Sequence, residues 1–136
     1  MKRPVLLDTG PLVALLNHRD VFHAWAAAQW ELVTPPLLSC EAVLSEACFL
    51  LRGAPGGCGA VMELVRRKIV VVGFRLEDHV APVVKLLGKY AGMPMSLADA
   101  CLVRMSECHA DSAVMTLDSH FRIYRRHVRQ AIPVIM

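Results

Sequence analysis

Residues 6–16 read LLDTGPLVALL, and the fold turns on how the Asp8-Thr9-Gly10 triplet inside them is understood. An Asp-Thr-Gly after a short apolar run is what aspartic proteases carry at their catalytic carboxylate. The same letters also suit a strand that ends in an Asp and starts a helix there. The residues on either side favour the second reading. Arg3 to Leu7 form a short apolar strand candidate, Gly10 and Pro11 break it, and Leu12 to Leu16 begin a helical pattern. A protease of the Asp-Thr-Gly type needs a largely β chain and a second catalytic Asp, supplied in a chain this short by a dimer mate.

Working outward, helix and strand signals alternate. Asp20 to Trp30 form an Ala-rich helical stretch. Leu32-Val33-Thr34 is a candidate short strand stopped by Pro35-Pro36. Ser39 to Arg52 place apolar residues at 40, 43, 44, 47, 48 and 51, the stripe of an amphipathic helix. The run RGAPGGCGA, 52–60, predicts a Gly-rich turn, followed by a helix over Val61 to Arg67 and a buried strand over Lys68 to Phe74. Leu76 to Tyr90 return to helical spacing. Ser96 to His109 form a helix whose start is visible: Ser96 as N-cap with Asp99 three residues on. Ala113 to Leu117 is a strand, Ser119 to Arg129 a turn or short helix, and Ile132 to Ile135 a last strand. Helices between strands predict a parallel sheet covered on both faces, a three-layer α/β/α sandwich. No internal repeat or linker divides the chain, so residues 1–136 are expected to form one domain.

Composition narrows the setting. The hydrophobic fraction is 55% and mean hydropathy is +0.44, yet no apolar run approaches the roughly 18 residues of a membrane span. The surplus points to a protein interface. The basic Met1-Lys2-Arg3 is followed only by Val5-Leu6-Leu7 before Asp8, too short for a signal-peptide core. Five cysteines, at 40, 48, 58, 101 and 108, make no CxxC and no zinc-like pairing with His. They are expected to be buried reduced thiols in a cytoplasmic protein. The net charge of +3 is weak testimony for a nucleic-acid partner.

Four acids carry the chemistry. Ligands of parallel α/β sheets sit beyond the carboxyl ends of the strands. Asp8 follows the first strand and Asp118 follows AVMTL, so both are expected at that edge. Asp99 starts a helix that leads to the same strand. Glu46 lies about 60° from Val43 on its helix, on the flank of the apolar stripe, with Glu41 on the opposite flank and not separable from it by geometry. Singly, each acid has a plain explanation as a cap, a turn residue or a solvated helix acid. Together they would repel one another unless a cation neutralised them, and hard oxygen donors suit Mg²⁺ or Mn²⁺. Phosphodiester hydrolysis is the natural reaction. Phosphoryl transfer onto Asp8 is disfavoured because position 10 is Gly rather than a second Asp.

The segments LLDTGPLVALLN, EACFLLR, SLADACLVRMSE and MTLDSHF stand in the order and spacing of a known family. The chain resembles a PIN domain, most of all the VapC-like toxins of toxin–antitoxin pairs, over nearly its whole length. The resemblance implies a Mg²⁺- or Mn²⁺-dependent ribonuclease with Asp8, Glu46, Asp99 and Asp118 as catalytic and metal-holding acids, and it selects Glu46 over Glu41. It implies supporting roles for Thr9, Ser96 and Thr116, and a structural one for Asp20 and His23. It also implies an RNA substrate, an antitoxin partner and a homodimer. Arg122, Arg125, Arg126 and Arg129 recur at helical spacing just beyond Asp118. If that segment is helical they share a face that could hold RNA phosphates; otherwise they belong to a solvated turn. The competing functions are a PIN-like module that binds RNA or protein without cutting, and the protease.

Overall fold

The computed structural model describes residues 3–136. Its first half runs β1 (Val5–Leu7), α1 (Thr9–Leu16), α2 (His23–Leu32), β2 (Leu37–Leu38), α3 (Glu41–Leu50), α4 (Gly57–Arg66) and β3 (Val70–Val71). Then follow α5 (Val80–Lys89), α6 (Leu97–Cys108), β4 (Ala113–Met115), β5 (Arg125–Arg126), β6 (Gln130–Ala131) and β7 (Val134–Ile135). Five strands form one sheet in the order β3-β2-β1-β4-β7. Every pairing in it is parallel.

Alternation along the strands builds a core on each face. Leu6 and Val114 point to one side, where α5 and α6 supply Val83, Leu86, Leu102 and Met105. Val5, Leu7 and Met115 point to the other, where α1, α3 and α4 supply Leu12, Leu44, Ala47 and Val61. The expected three-layer sandwich with a central parallel sheet is what forms. None of the described helices is long and apolar enough to cross a membrane.

The strand order positions the site. From β1 the chain steps outward to β2 and β3, then returns to place β4 on the other side of β1. The direction of winding reverses between β1 and β4, and a crevice opens at such a switch point beyond the carboxyl ends.

Several local expectations change. The second strand is not Leu32 to Thr34. Leu32 ends α2 and is 78% exposed, whereas Leu37 is fully buried. The prolines precede the strand instead of ending it: Leu37 supplies the N–H that bonds Ile69 O at 2.8 Å. The strand expected over Lys68 to Phe74 pairs only through Val70 and Val71, because its sole partner, β2, is two residues long. The Gly-rich turn is shorter than 52–60, since α4 already begins at Gly57. Gly56 just before it has φ +84°, where a glycine meets no steric penalty.

The expectation of five buried reduced thiols does not hold. Cys48 on α3 and Cys58 on α4 form a disulfide with their Cα atoms 4.4 Å apart. The tight turn between the two helices folds the first turn of α4 back onto the end of α3. Of the other three, Cys40 and Cys101 are buried and Cys108 is exposed.

The arginine segment is not a helix that displays one face. Residues Ser119–Arg122 make a single 3-10 turn, and β5 and β6 then pair as an antiparallel hairpin. Tyr124 anchors the segment to the core. Its ring is fully buried, packed edge-on against Phe121 at 5.2 Å and Tyr90 at 5.0 Å. That anchor, and a hydrogen bond from Arg125 N to the Tyr90 hydroxyl at 2.9 Å, hold the chain there. Positive φ at His127 and Val128 then reverses it.

Candidate active site

Asp8 is the first residue beyond β1. Its backbone N–H still bonds Met115 O of β4 at 3.0 Å, so the carboxylate sits where the two central strands end. Its Oδ1 accepts from Thr9 N at 2.8 Å and caps α1. Its Oδ2 accepts from the Thr116 hydroxyl at 2.7 Å. That hydroxyl in turn accepts from Asp118 N at 2.9 Å. Thr116 thus ties the acid after β1 to the acid after β4. Asp118 Oδ1 accepts from His120 N at 2.9 Å and lies 2.7 Å from His120 Nδ1.

Asp99 arrives on the first turn of α6. The capping box expected from Ser96 and Asp99 is present: Asp99 N donates to Ser96 Oγ at 3.0 Å, and Ser96 N donates to Asp99 Oδ2 at 3.2 Å. The Tyr124 hydroxyl also donates to Asp99 Oδ2, at 3.3 Å. Glu46 stands exposed on α3, on the side its flank position predicts. Its Oε2 accepts from Thr9 Oγ1 at 3.3 Å.

These four acids line one open cleft of about 610 Å³. Thr9 and Ser96 lie in its wall, as do Asp20 and Phe22. Gly10 is there for a steric reason: a Cβ on it would come within 3.3 Å of Leu117 Cβ, in the segment that carries Asp118. The triplet that resembles a protease motif is therefore a strand end, a helix cap and a close helix-to-loop contact.

The electrostatics follow from crowding. Asp8 and Asp99 are each only 7% exposed. Burial raises the Asp8 carboxyl to a pKa of about 6; hydrogen bonds from Thr116 and Thr9 oppose the rise, and the charges of Asp99 and Asp118 add to it. Asp99 is raised as well, by burial first and then by the charge of Asp118. Burial and the charges of Asp99, Asp118 and Asp8 push the Tyr124 hydroxyl upward, so it stays a proton donor to Asp99. Counting Asp20, five carboxylates line the cleft, and no Lys or Arg among the described residues does.

This donor set fits a hard divalent cation. Among the described residues no three acid, imidazole or thiol groups stand close enough to enclose one ion. A hydrated Mg²⁺ does not require that, because it keeps several waters and takes one or two carboxylates.

The arginines lie elsewhere. Arg125 donates to the carbonyls of Arg122, Ile123 and Tyr124 at 2.8–3.2 Å and lines a different cleft beside α5. Arg126 reaches the carbonyls of Ser106 and Ser112, both at 3.4 Å. Asp20 and His23 make local bonds, as expected of structural residues: Asp20 Oδ1 accepts from Phe22 N at 2.8 Å, and His23 Nδ1 lies 2.8 Å from Ala14 O. Sequence reasoning did not reach His120 or the Tyr124 hydroxyl. The His two residues after Asp118 was a signal for the first; nothing local marked Tyr124, which lies 25 positions from Asp99.

Comparison with known proteins agrees with this fold. No curated protein sequence matches the chain significantly. Among solved structures, the chain is similar to Mycobacterium tuberculosis VapC20, described as a sarcin-ricin loop cleaving toxin. The TM-score is 0.74 at 21% identity, over 85% of this chain and 90% of that one. The family model for the PIN domain matches residues 5–126. With nine-tenths of its length under that match, the chain belongs to the PIN domain family.

Proposed function

We propose that this protein is a Mg²⁺- or Mn²⁺-dependent ribonuclease that hydrolyses RNA phosphodiester bonds, and that it is the toxin of a toxin–antitoxin pair. The observation that carries the reading is the convergence of Asp8, Glu46, Asp99 and Asp118 in one cleft that no Lys or Arg neutralises. Membership of the PIN family and the likeness to a toxin that cleaves RNA support it.

Asp8, Asp99 and Asp118 would hold the divalent ion, directly or through water. Such an ion neutralises the acids, makes water a better nucleophile and stabilises a leaving oxygen. Thr116 keeps Asp8 and Asp118 in register. Ser96 and Tyr124 fix the Asp99 carboxylate. Glu46, exposed at the rim and bonded by Thr9, orients the attacking water and accepts its proton. The water oxygen bonds to phosphorus, the P–O3′ bond breaks, and its electron pair leaves on the 3′ oxygen.

Thermal unfolding with and without Mn²⁺, followed by RNA cleavage, tests the reading. Mn²⁺ should raise the melting temperature of the wild type and not of Asp99→Asn. If the ion stabilises the fold and no RNA is cut, the protein is a binding module instead. No stabilisation at about millimolar Mn²⁺ would sink the metal site.

The chain is read as one domain that acts as a homodimer and is blocked by an antitoxin. Exposed apolar side chains such as Val21, Phe49 and Val84 give such interfaces a surface. We place its action in the cytoplasm. The Cys48–Cys58 disulfide is the feature that runs against a reducing compartment. Alkylation of free thiols in intact cells tests that point.

A further inference from the structure

Among the described residues, no cationic side chain lines the acid cleft to meet the phosphates on either side of a scissile bond. The hairpin arginines do not line that cleft, and the guanidinium groups of Arg125 and Arg126 are spent on backbone carbonyls. The connection between α1 and α2, residues 17–22, is placed differently. It forms a wall shared by two neighbouring clefts. Asp20 and Phe22 line the acid cleft, while His18 and Arg19 line a second cleft of about 600 Å³. Leu50 lines both.

The loop is held by bonds within itself, through the Asn17 and Asp20 side chains and one backbone pair. Arg19 N donates to Asn17 Oδ1 at 3.1 Å, Asp20 N to Asn17 O at 2.9 Å and Phe22 N to Asp20 Oδ1 at 2.8 Å. The side chains of Arg19 and Phe22 are left over. Arg19 is exposed, and among the described residues no carboxylate pairs with it. Phe22 is 48% exposed although it lines a cleft of carboxylates. The exposed His18 ring stacks on His23 at 4.5 Å. An unpaired guanidinium and an open aromatic face on one loop are the two groups that single-stranded nucleic acid uses, one for phosphate and one for a base.

Resting on the ribonuclease reading, we propose that single-stranded RNA passes from the acid cleft over the 17–22 loop, with Phe22 stacking a base and Arg19 holding a neighbouring phosphate. A polyanion is the occupant that the free positive charge selects, and Phe22 of the same loop lines the acid cleft.

Fluorescence anisotropy with a mixed-sequence single-stranded RNA of about ten nucleotides tests this. It is run in Mg²⁺ on a Glu46→Gln background, which removes the group that accepts the water proton and leaves Asp8, Asp99 and Asp118 to hold the ion. Phe22→Ala should weaken binding about tenfold. Phe22→Trp should keep the affinity and Phe22→Leu should not, which separates stacking from apolar contact. Arg19→Ala should weaken binding about fivefold and reduce the salt slope by about one. Arg122→Ala and Arg129→Ala should change it by less than about twofold. If the hairpin variants weaken binding and the loop variants do not, the proposed path is wrong, whereas Mn²⁺-dependent cleavage by the wild type would still uphold the ribonuclease. If the wild type neither binds nor cleaves RNA, both fall. If Phe22→Ala turns a dimer into a monomer by sedimentation while RNA affinity is unchanged, the loop faces a second copy and the path is again wrong. The same holds if the loop variants lose a co-expressed antitoxin and keep RNA.

Discussion

The acid cleft and the arginine hairpin each contain four like-charged residues that spacing picks out, and the folded chain treats them in opposite ways. Asp8, Glu46, Asp99 and Asp118 are drawn from three strand or helix ends and one helix flank, and they line one cleft. Arg122, Arg125, Arg126 and Arg129 are neighbours in sequence, yet the chain between them turns, and two of their side chains bond to carbonyls. The acids are placed by the sheet, whose carboxyl edge gathers whatever follows β1 and β4. The arginines depended on a local helix, and a 3-10 turn and a hairpin form there instead. Charges that follow strands converge because of topology; charges at helical spacing converge only if a helix forms.

The sharpest way to break the contrast is Asp99→Asn. Loss of a group that holds the cation should lower Mn²⁺-dependent cleavage by orders of magnitude, read as initial rate on a labelled RNA at saturating metal. Retention of full activity would remove Asp99 from the site.

Next in size is the effect of charge on stability without metal. The Asp8 carboxyl has a pKa of about 6 in the fold against 3.8 when exposed. The folded state therefore holds this proton more tightly than the unfolded one. Its contribution is fully present below about pH 4 and is lost as pH rises through about 6, for a total of about 3 kcal/mol. Asp8→Asn should be more stable than wild type at pH 8 by about that amount and should lack the decline between pH 4 and 6. Urea unfolding across pH in chelator measures it. A wild type that becomes more stable over that interval relative to Asp8→Asn would contradict the crowded-acid description.

Thr116→Val probes the tie between the two central acids. It leaves Asp8 Oδ2 without its donor and Asp118 N without its acceptor, at a cost of about 1–3 kcal/mol. Because the lost bond favours the charged carboxylate, the pH-dependent decline should also move to higher pH. Metal affinity, by calorimetry, should fall about 10- to 100-fold.

The arginines should answer quietly. Arg126→Ala gives up its bonds to Ser106 O and Ser112 O and should cost about 1 kcal/mol in urea unfolding. Arg122→Ala should stay within about 0.5 kcal/mol of wild type, with cleavage unchanged. A large loss of cleavage in either variant would restore the hairpin as a substrate surface and erase the contrast.

From the sequence alone, the α/β alternation, the parallel sheet and the placement of Asp8 and Asp118 at its carboxyl edge could be read. Each rests on a rule that survives folding. Apolar periodicity reports burial, a strand followed by a helix forces parallel pairing, and an acid after a parallel strand must lie at its carboxyl edge. The capping box of Ser96 and Asp99 was legible because its partners are three residues apart. Glu46 was chosen over Glu41 only by resemblance, and its bond from Thr9 spans 37 positions that no local pattern encodes. Tertiary structure decided what depends on distant partners. It moved the second strand past Pro35-Pro36, because Leu37 and Leu38 had neighbours to pair with. It joined Cys48 to Cys58, because a tight turn superposed two helix ends. It buried Tyr124 against Asp99 and made the arginine strip a turn and a hairpin. Residue types and periods are local and readable; which surfaces meet depends on how helices and strands pack, and that is settled only in three dimensions.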